Sequence, residues 1–236
     1  MTRTVTYAPG ALAEVHGSGG APVVLLWHGS GVRERDVLAP LAESIAGHGV
    51  TVVVPDWQSD DPATGRTHLM ASVALALDES DGDDGPAPVT LVGWSLGANA
   101  AVHVALHPEV TGGWRPAAVV ALAGSYDESP FGDDPFVTGD PSGAGDPVTV
   151  GGLRVSVLHG EADTVVPFDR SVRAAELLSG FGCQVSLHLL DTDHAGIVGT
   201  VYDPWRSRCV PTEDPPRLAT LAAVADRIAR VALAHR

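Results

Sequence analysis

Short β-branched apolar runs alternate with segments of helical period along most of this chain, and that alternation leaves few folds open. Residues 23–27, 50–54, 89–92, 118–122, 155–158 and 185–190 have the length and composition of strands. Strands separated by helical segments form βαβ units, which build a mostly parallel sheet flanked by helices. Residues 4–7 and 12–15, around Pro9 and Gly10, add an opening hairpin and bring the expected sheet to eight strands.

The helical segments each carry a face to bury. Leu38, Leu41 and Ile45 share one side after Asp36, read as an N-cap, and Gly47 and Gly49 end that helix. Leu69, Val73 and Leu77 repeat the pattern. Asp214 and Pro215 open a last helix with Leu218, Leu221, Ala225 and Ile228 along one stripe. Two segments rich in Gly, Pro and Asp interrupt the alternation. Residues 78–88 read as a solvated acidic connection, since Asp81, Asp83 and Asp84 lack the remaining spacing and terminal glutamate of an EF-hand loop. Residues 126–152 are long for a loop, which makes them a flap near the site or an insertion, too short and irregular for a helical cap domain. With 236 residues, of which 44% are hydrophobic and 18% charged, the expectation is one α/β domain spanning 1–236.

Charge narrows the partners. Twenty-nine acidic side chains face 14 basic ones, all arginine, for a formal net charge of −15. Such a surface repels phosphate backbones and anionic headgroups, so neither nucleic acid nor a membrane is an expected partner. The N-terminus lacks the apolar core of a secretory signal and no run approaches a membrane span, which places the chain in the cytoplasm. In that reducing compartment Cys183 reads as a small buried hydrophobe and Cys209 as a loop residue, and neither has metal-ligand spacing.

The chemistry gathers at strand ends. Gly93-Trp94-Ser95-Leu96-Gly97 directly follows the run at 89–92 and opens a helical stretch, the strand–turn–helix setting of a nucleophile elbow. A serine needs that tight turn to be reachable, and glycines flank it because side chains there would strike the neighbouring strand and helix. Serine is a poor nucleophile until an imidazole takes its proton and a carboxylate holds that imidazole in the right tautomer. Asp163 follows the run at 155–158 and His194 follows the run at 185–190, in the order Ser, Asp, His. Asp127, after the preceding strand, is the alternative acid, while Asp191 and Asp193 read as turn residues shaping the His194 loop. His103, His107, His188 and His235 lie away from strand ends and are read as packing or surface residues.

An oxyanion hole needs preorganised N–H donors. Leu26-Trp27-His28-Gly29-Ser30-Gly31 ends the first parallel strand, so the N–H groups of Leu96 and Ser30, with Gly31 as a third, are the candidates. His28 is expected to bond the loop rather than move protons. Trp57, Trp94, Phe131, Phe136 and Ile197 are candidate apolar walls of an open substrate cleft, Trp57 and Trp94 favoured because each adjoins a strand's C-terminal end.

Taken together and in this order, His28-Gly-Ser-Gly31, Gly93-Trp-Ser-Leu-Gly97, His159-Gly-Glu-Ala-Asp-Thr-Val-Val-Pro167 and Asp193-His-Ala-Gly196 resemble the α/β-hydrolase superfamily, especially small capless esterases and dienelactone-hydrolase-like members. The resemblance spans nearly the whole chain and implies an α/β-hydrolase fold without a substantial cap. Dienelactone hydrolases carry cysteine and haloalkane dehalogenases aspartate where this chain has Ser95, so a serine hydrolase is the implied class. The expected reaction is cleavage of a small-molecule carboxylic ester through an acyl-enzyme, with no cofactor and no metal. Thioesterase, acyltransferase and lactonase chemistry would use the same three residues, and a silent hydrolase fold that only binds ligand is the remaining alternative.

Overall fold

A computed structural model describes residues 1–17, 21–82, 85–132, 136 and 151–234. Asp83, Asp84, His235 and most of 126–152 lie outside the described residues. The chain runs β1 (Thr2–Ala8), β2 (Ala11–His16), β3 (Val23–Trp27), α1 (Ala39–Ala46), β4 (Thr51–Pro55), α2 (Pro62–Ser80), β5 (Val89–Trp94), α3 (Leu96–Leu106), β6 (Ala118–Leu122), β7 (Arg154–Gly160), α4 (Asp169–Gly180), β8 (Gln184–Leu190), β9 (Thr200–Asp203), β10 (Arg208–Pro211) and α5 (Pro215–Leu233).

Eight strands form one sheet in the order β1-β2-β4-β3-β5-β6-β7-β8, and β9 and β10 pair as a separate two-stranded ribbon. The pairs from β4 through β8 are parallel, while β2 runs antiparallel to β1 and β4. Among the described residues no helical cap is inserted. From β3 the chain crosses to β4 on one side, then returns to place β5 on the other. Such a reversal opens a crevice at the carboxyl ends of the two neighbouring strands, where open α/β sheets bind ligands. Register puts Trp27, the last residue of β3, beside Gly93 near the end of β5, so the loops after both strands emerge together at that crevice.

Alternation along each strand builds two cores. Val23, Leu25 and Trp27 of β3 face one side with Leu91, Val119 and Val157, against Leu69 and Val73 of α2, Val102 and Leu106 of α3 and Leu178 of α4. Val24 and Leu26 face the other with Val52, Val120 and Leu158, against Leu41 and Ile45 of α1 and Val224 and Ile228 of α5. Both faces are covered, which is why the parallel strands read as continuous apolar runs rather than alternating ones. Each fully buried leucine contributes about 2–3 kcal/mol of transfer free energy.

Local signals differ from expectation at a few helix ends. Asp36 sits inside a 3₁₀ turn (Arg35–Leu38) and bonds Arg208, while α1 begins after Leu38 with proline in its first turn. The 3₁₀ turn consumes the residues that a capped start at Asp36 would have made helical. Asp61 caps α2, accepting from the N–H groups of Ala63 at 3.1 Å and Thr64 at 3.4 Å. α2 continues to Ser80, so the acidic connection is shorter than the sequence suggests. Leu218 is 40% exposed on the first turn of α5, because packing against the sheet begins at Leu221.

Candidate active site

Ser95 sits between β5 and α3 with φ 56° and ψ −122°, a strained conformation for a residue with a side chain. Its N–H donates to the carbonyl of Leu122 at 2.8 Å, tying the turn to β6. The flanking glycines are required by contact. A Cβ on Gly93 would lie 2.0 Å from the carbonyl oxygen of Gly97, and one on Gly97 would lie 2.4 Å from that of Trp27. Because backbone rather than a flexible side chain stands in the way, Gly97→Ala is expected to cost about 3 kcal/mol. Urea melts measure it, and a variant as stable as the parent would mean that the β3 end yields to the added methyl.

The loops after β7 and β8 are stitched together by backbone bonds. Glu161 N–H donates to Leu190 at 2.8 Å and Ala162 N–H to Thr192 at 3.0 Å, and a Cβ on Gly160 would meet the Thr192 carbonyl at 2.2 Å. This close approach brings Asp163 and His194 within bonding distance, with His194 Nδ1 2.7 Å from Asp163 Oδ2. An ionised carboxylate only accepts, so Nδ1 carries the proton and Nε2 is left with its lone pair. Asp163 Oδ1 accepts from Val165 N–H at 2.8 Å and Val166 N–H at 2.9 Å. Burial alone would raise the pKa of Asp163, but hydrogen bonds from His159, His194 and Val166 outweigh it and hold the carboxyl well below the usual carboxylate range.

Neighbouring side chains fix the imidazole in place. Trp94 Nε1 donates to the His194 carbonyl at 3.0 Å, and the two rings lie 5.3 Å apart. Asp193 accepts from Arg217 through both oxygens, at 2.7 and 2.6 Å, and from Gly196 N–H at 2.7 Å, anchoring the loop to α5. The Arg217 hydrogen bond lowers the Asp193 carboxyl below its ordinary range, in keeping with a turn role. Asp127, the alternative acid, instead pairs with Arg170 on the surface.

Ser95 and His194 line one cavity of about 390 Å³ with Trp94 and Ser30. The Ser95 hydroxyl has no hydrogen-bond partner among the described residues, and contacts of this kind often tighten only around substrate. The backbone after β3 presses against Ser95, since a Cβ on Gly29 would lie 3.0 Å from Ser95 Cβ and 3.5 Å from its Oγ. His28 shapes that loop. Its Nδ1 donates to the Gly29 carbonyl at 2.9 Å and its Nε2 accepts from Trp57 N–H at 3.2 Å. Burial pushes its imidazole down to about 4, which keeps it neutral and able to accept.

Two backbone donors remain open beside Ser95. The N–H groups of Ser30 and Leu96 have no acceptor among the described residues, and Leu96 is the first residue of α3, where no helix carbonyl can reach it. Gly31 differs from expectation, because its N–H already donates to Ser59 Oγ at 2.8 Å.

The expected apolar walls are mostly elsewhere. Trp94 lines the cavity, but Trp57 is 1% exposed, stacked on His28 at 5.3 Å with its Nε1 bonded to the His28 carbonyl. Ile197 is fully buried in the α1–α5 core, Phe131 stacks on His103, and Phe136 packs with Tyr126 and Phe181. Being next to a strand end did not put Trp57 in the cleft, because His28 covers it. In their place the cavity takes Tyr202, Ser207, Arg208 and Cys209 from the β9–β10 ribbon and Val165 from the Asp163 loop. The stretch 200–211, β-branched and aromatic residues on either side of Asp203-Pro204, carried the signal of a hairpin. Cys209 is therefore a strand residue on the cavity wall, and both cysteines are free thiols. A larger groove of about 610 Å³ between β7, β8 and α5 shares no residue with this cavity.

No family model and no curated protein matches the sequence. Solved structures do match over the whole chain. An esterase/lipase from an uncultured bacterium superposes with a TM-score of 0.68 at 14% identity, over 99% of this chain and 85% of that one. A dienelactone hydrolase from Anabaena variabilis gives 0.63 at 18% identity, over 100% and 98%. A sugar hydrolase from Lactococcus lactis gives 0.67 at 14% identity, over 100% of both chains. The chain has the α/β-hydrolase fold. Among the described residues no helix is long and apolar enough to cross a membrane.

Proposed function

We propose that this protein is a serine hydrolase that cleaves small-molecule carboxylic esters through an acyl-enzyme on Ser95. The observation that carries the reading is the Asp163–His194 hydrogen bond, which leaves a basic Nε2 on the imidazole lining the same cavity as Ser95. His194 Nε2 takes the Ser95 proton as Oγ attacks the carbonyl carbon. The N–H groups of Ser30 and Leu96 then receive the oxyanion, each contributing about 3–4 kcal/mol to the barrier reduction by analogy with similar donors. Collapse expels the alcohol, which takes the proton from the imidazolium. Water then attacks the acyl group with His194 again as base, returning free Ser95 and a carboxylic acid.

A cavity of about 390 Å³ suits a small ester, near the low end of ligand pockets. The esterase/lipase and dienelactone hydrolase neighbours point to the same chemistry. Initial rates on p-nitrophenyl esters of short, medium and long acyl chains test the reading, together with inactivation by an organophosphate and mass analysis of the peptide containing Ser95. Turnover favouring short chains, with one phosphoryl group on Ser95, is the expected result. A folded protein with neither turnover nor adduct would overturn it.

A further inference from the structure

Resting on that reading, we infer that His159 is a positioning residue for the catalytic acid, so that the hydrogen-bonded chain behind Ser95 extends through a second histidine to Ser171. His159 ends β7 next to Gly160 and is fully buried. Its Nε2 lies 3.1 Å from Asp163 Oδ2, the same oxygen that binds His194, and 2.9 Å from the Val166 carbonyl. Its Nδ1 lies 2.7 Å from Ser171 Oγ on α4.

These partners leave one tautomer. A carbonyl oxygen and a carboxylate can only accept, so Nε2 carries the proton and shares it between them. Nδ1 must then accept, and the Ser171 hydroxyl donates to it. The imidazole is held at both ends, with its Nε2–H shared between Asp163 Oδ2 and the Val166 carbonyl.

The consequence lies at Asp163. Oδ1 is held by the N–H groups of Val165 and Val166, and Oδ2 by two imidazoles, His194 from outside and His159 from within. Four donors fix the carboxylate plane. Without His159, Oδ2 has only His194 to hold it, and its lone pairs can turn away from the geometry that keeps the His194 ring aimed at Ser95. The Val166 carbonyl, on the same loop as Asp163, couples that loop to the same ring. His159 does not touch the reacting atoms, and its effect passes through Asp163.

The test compares the full-length protein with His159→Leu, His159→Gln and Ser171→Ala, reading kcat and KM on the best p-nitrophenyl ester and the low-field proton resonance of the His194 Nδ1–H. Glutamine can place an amide N–H near the position of Nε2, and leucine cannot. Loss of one hydrogen bond to a charged acceptor predicts that kcat falls about 10- to 100-fold in His159→Leu with KM changed less than about two-fold. His159→Gln is expected to recover to within about five-fold of wild type, and Ser171→Ala to lose about three- to ten-fold in kcat. The resonance should shift in the leucine variant and stay near its parental position in the glutamine variant. A folded His159→Leu with wild-type kcat, or equal losses in the leucine and glutamine variants, would overturn the role. If His159→Leu does not fold, unchanged kcat in Ser171→Ala overturns it instead. Wild type and Ser95→Ala run alongside: absence of Ser95-dependent turnover in wild type defeats the hydrolase reading, and the positioning role is then decided by the resonance.

Discussion

Ser95→Ala is expected to lower kcat for ester hydrolysis by about 10⁶-fold, the scale found when a serine hydrolase loses its nucleophile. Alanine offers no nucleophilic atom at this position, so the residual rate reports the oxyanion donors and binding alone. The fold should hardly notice the change, because the Ser95 hydroxyl bonds nothing among the described residues and alanine retains the backbone bond to Leu122. A second substitution separates chemistry from strain. At φ 56° and ψ −122° a side-chain-bearing residue stores about 1–3 kcal/mol, which glycine would release. Ser95→Gly should therefore melt above Ser95→Ala by about 2–4 °C per kcal/mol recovered, with both equally inactive. Steady-state assays and calorimetry decide the matter. Activity in folded Ser95→Ala within tenfold of wild type would move the nucleophile elsewhere.

Asp163→Asn should lower kcat by about 10⁴-fold, as losing the tautomer-fixing carboxylate does in a triad of this kind. The local geometry makes the substitution worse than isosteric. Asp163 accepts from two backbone N–H groups on one oxygen and from two imidazoles on the other. An asparagine amide must turn its NH₂ toward one of these donor pairs, leaving buried donors unmatched at a cost of about 1–3 kcal/mol in stability. The charge also has a pH signature. The carboxyl is held below its ordinary range in the fold, so its contribution to stability is present above the unfolded value of about 4 and declines as pH falls below it. Urea melts at neutral pH should separate wild type from Asp163→Asn, and the gap should narrow in strong acid. A constant gap, or unchanged kcat, would make Asp127 or another carboxylate the acid to examine.

Much of this architecture is written in local pattern. The parallel strands are legible because burial on both faces makes each a continuous apolar run, and residues 23–27 and 118–122 have the same bounds in the fold as in the sequence reading. The Ser95 turn is legible because Gly93 and Gly97 answer to backbone contacts that tolerate no side chain. Strand ends also mark Asp163 and His194, since loops at one edge of a parallel sheet converge. Period, turn chemistry and chain order are properties of neighbouring residues, and one sequence contains them.

What lies opposite those residues is another kind of question. Trp57 and Tyr202 are both aromatic residues near a strand end, yet one is 1% exposed beneath His28 and the other is 57% exposed on the cavity rim. Gly31 and Ser30 are adjacent, but only the first meets Ser59 Oγ and spends its N–H there. His159 looks like one more residue of its motif until Ser171, twelve positions away, and Val166 fix its tautomer against Asp163. The sequence alone determined the sheet, the elbow and the order of the three candidate residues, because each depends on contacts within a strand, a turn or a single crossover. Tertiary structure alone decided which donors stay free, which side chains wall the cavity and which second histidine bonds Asp163, because those depend on what distant segments place against them.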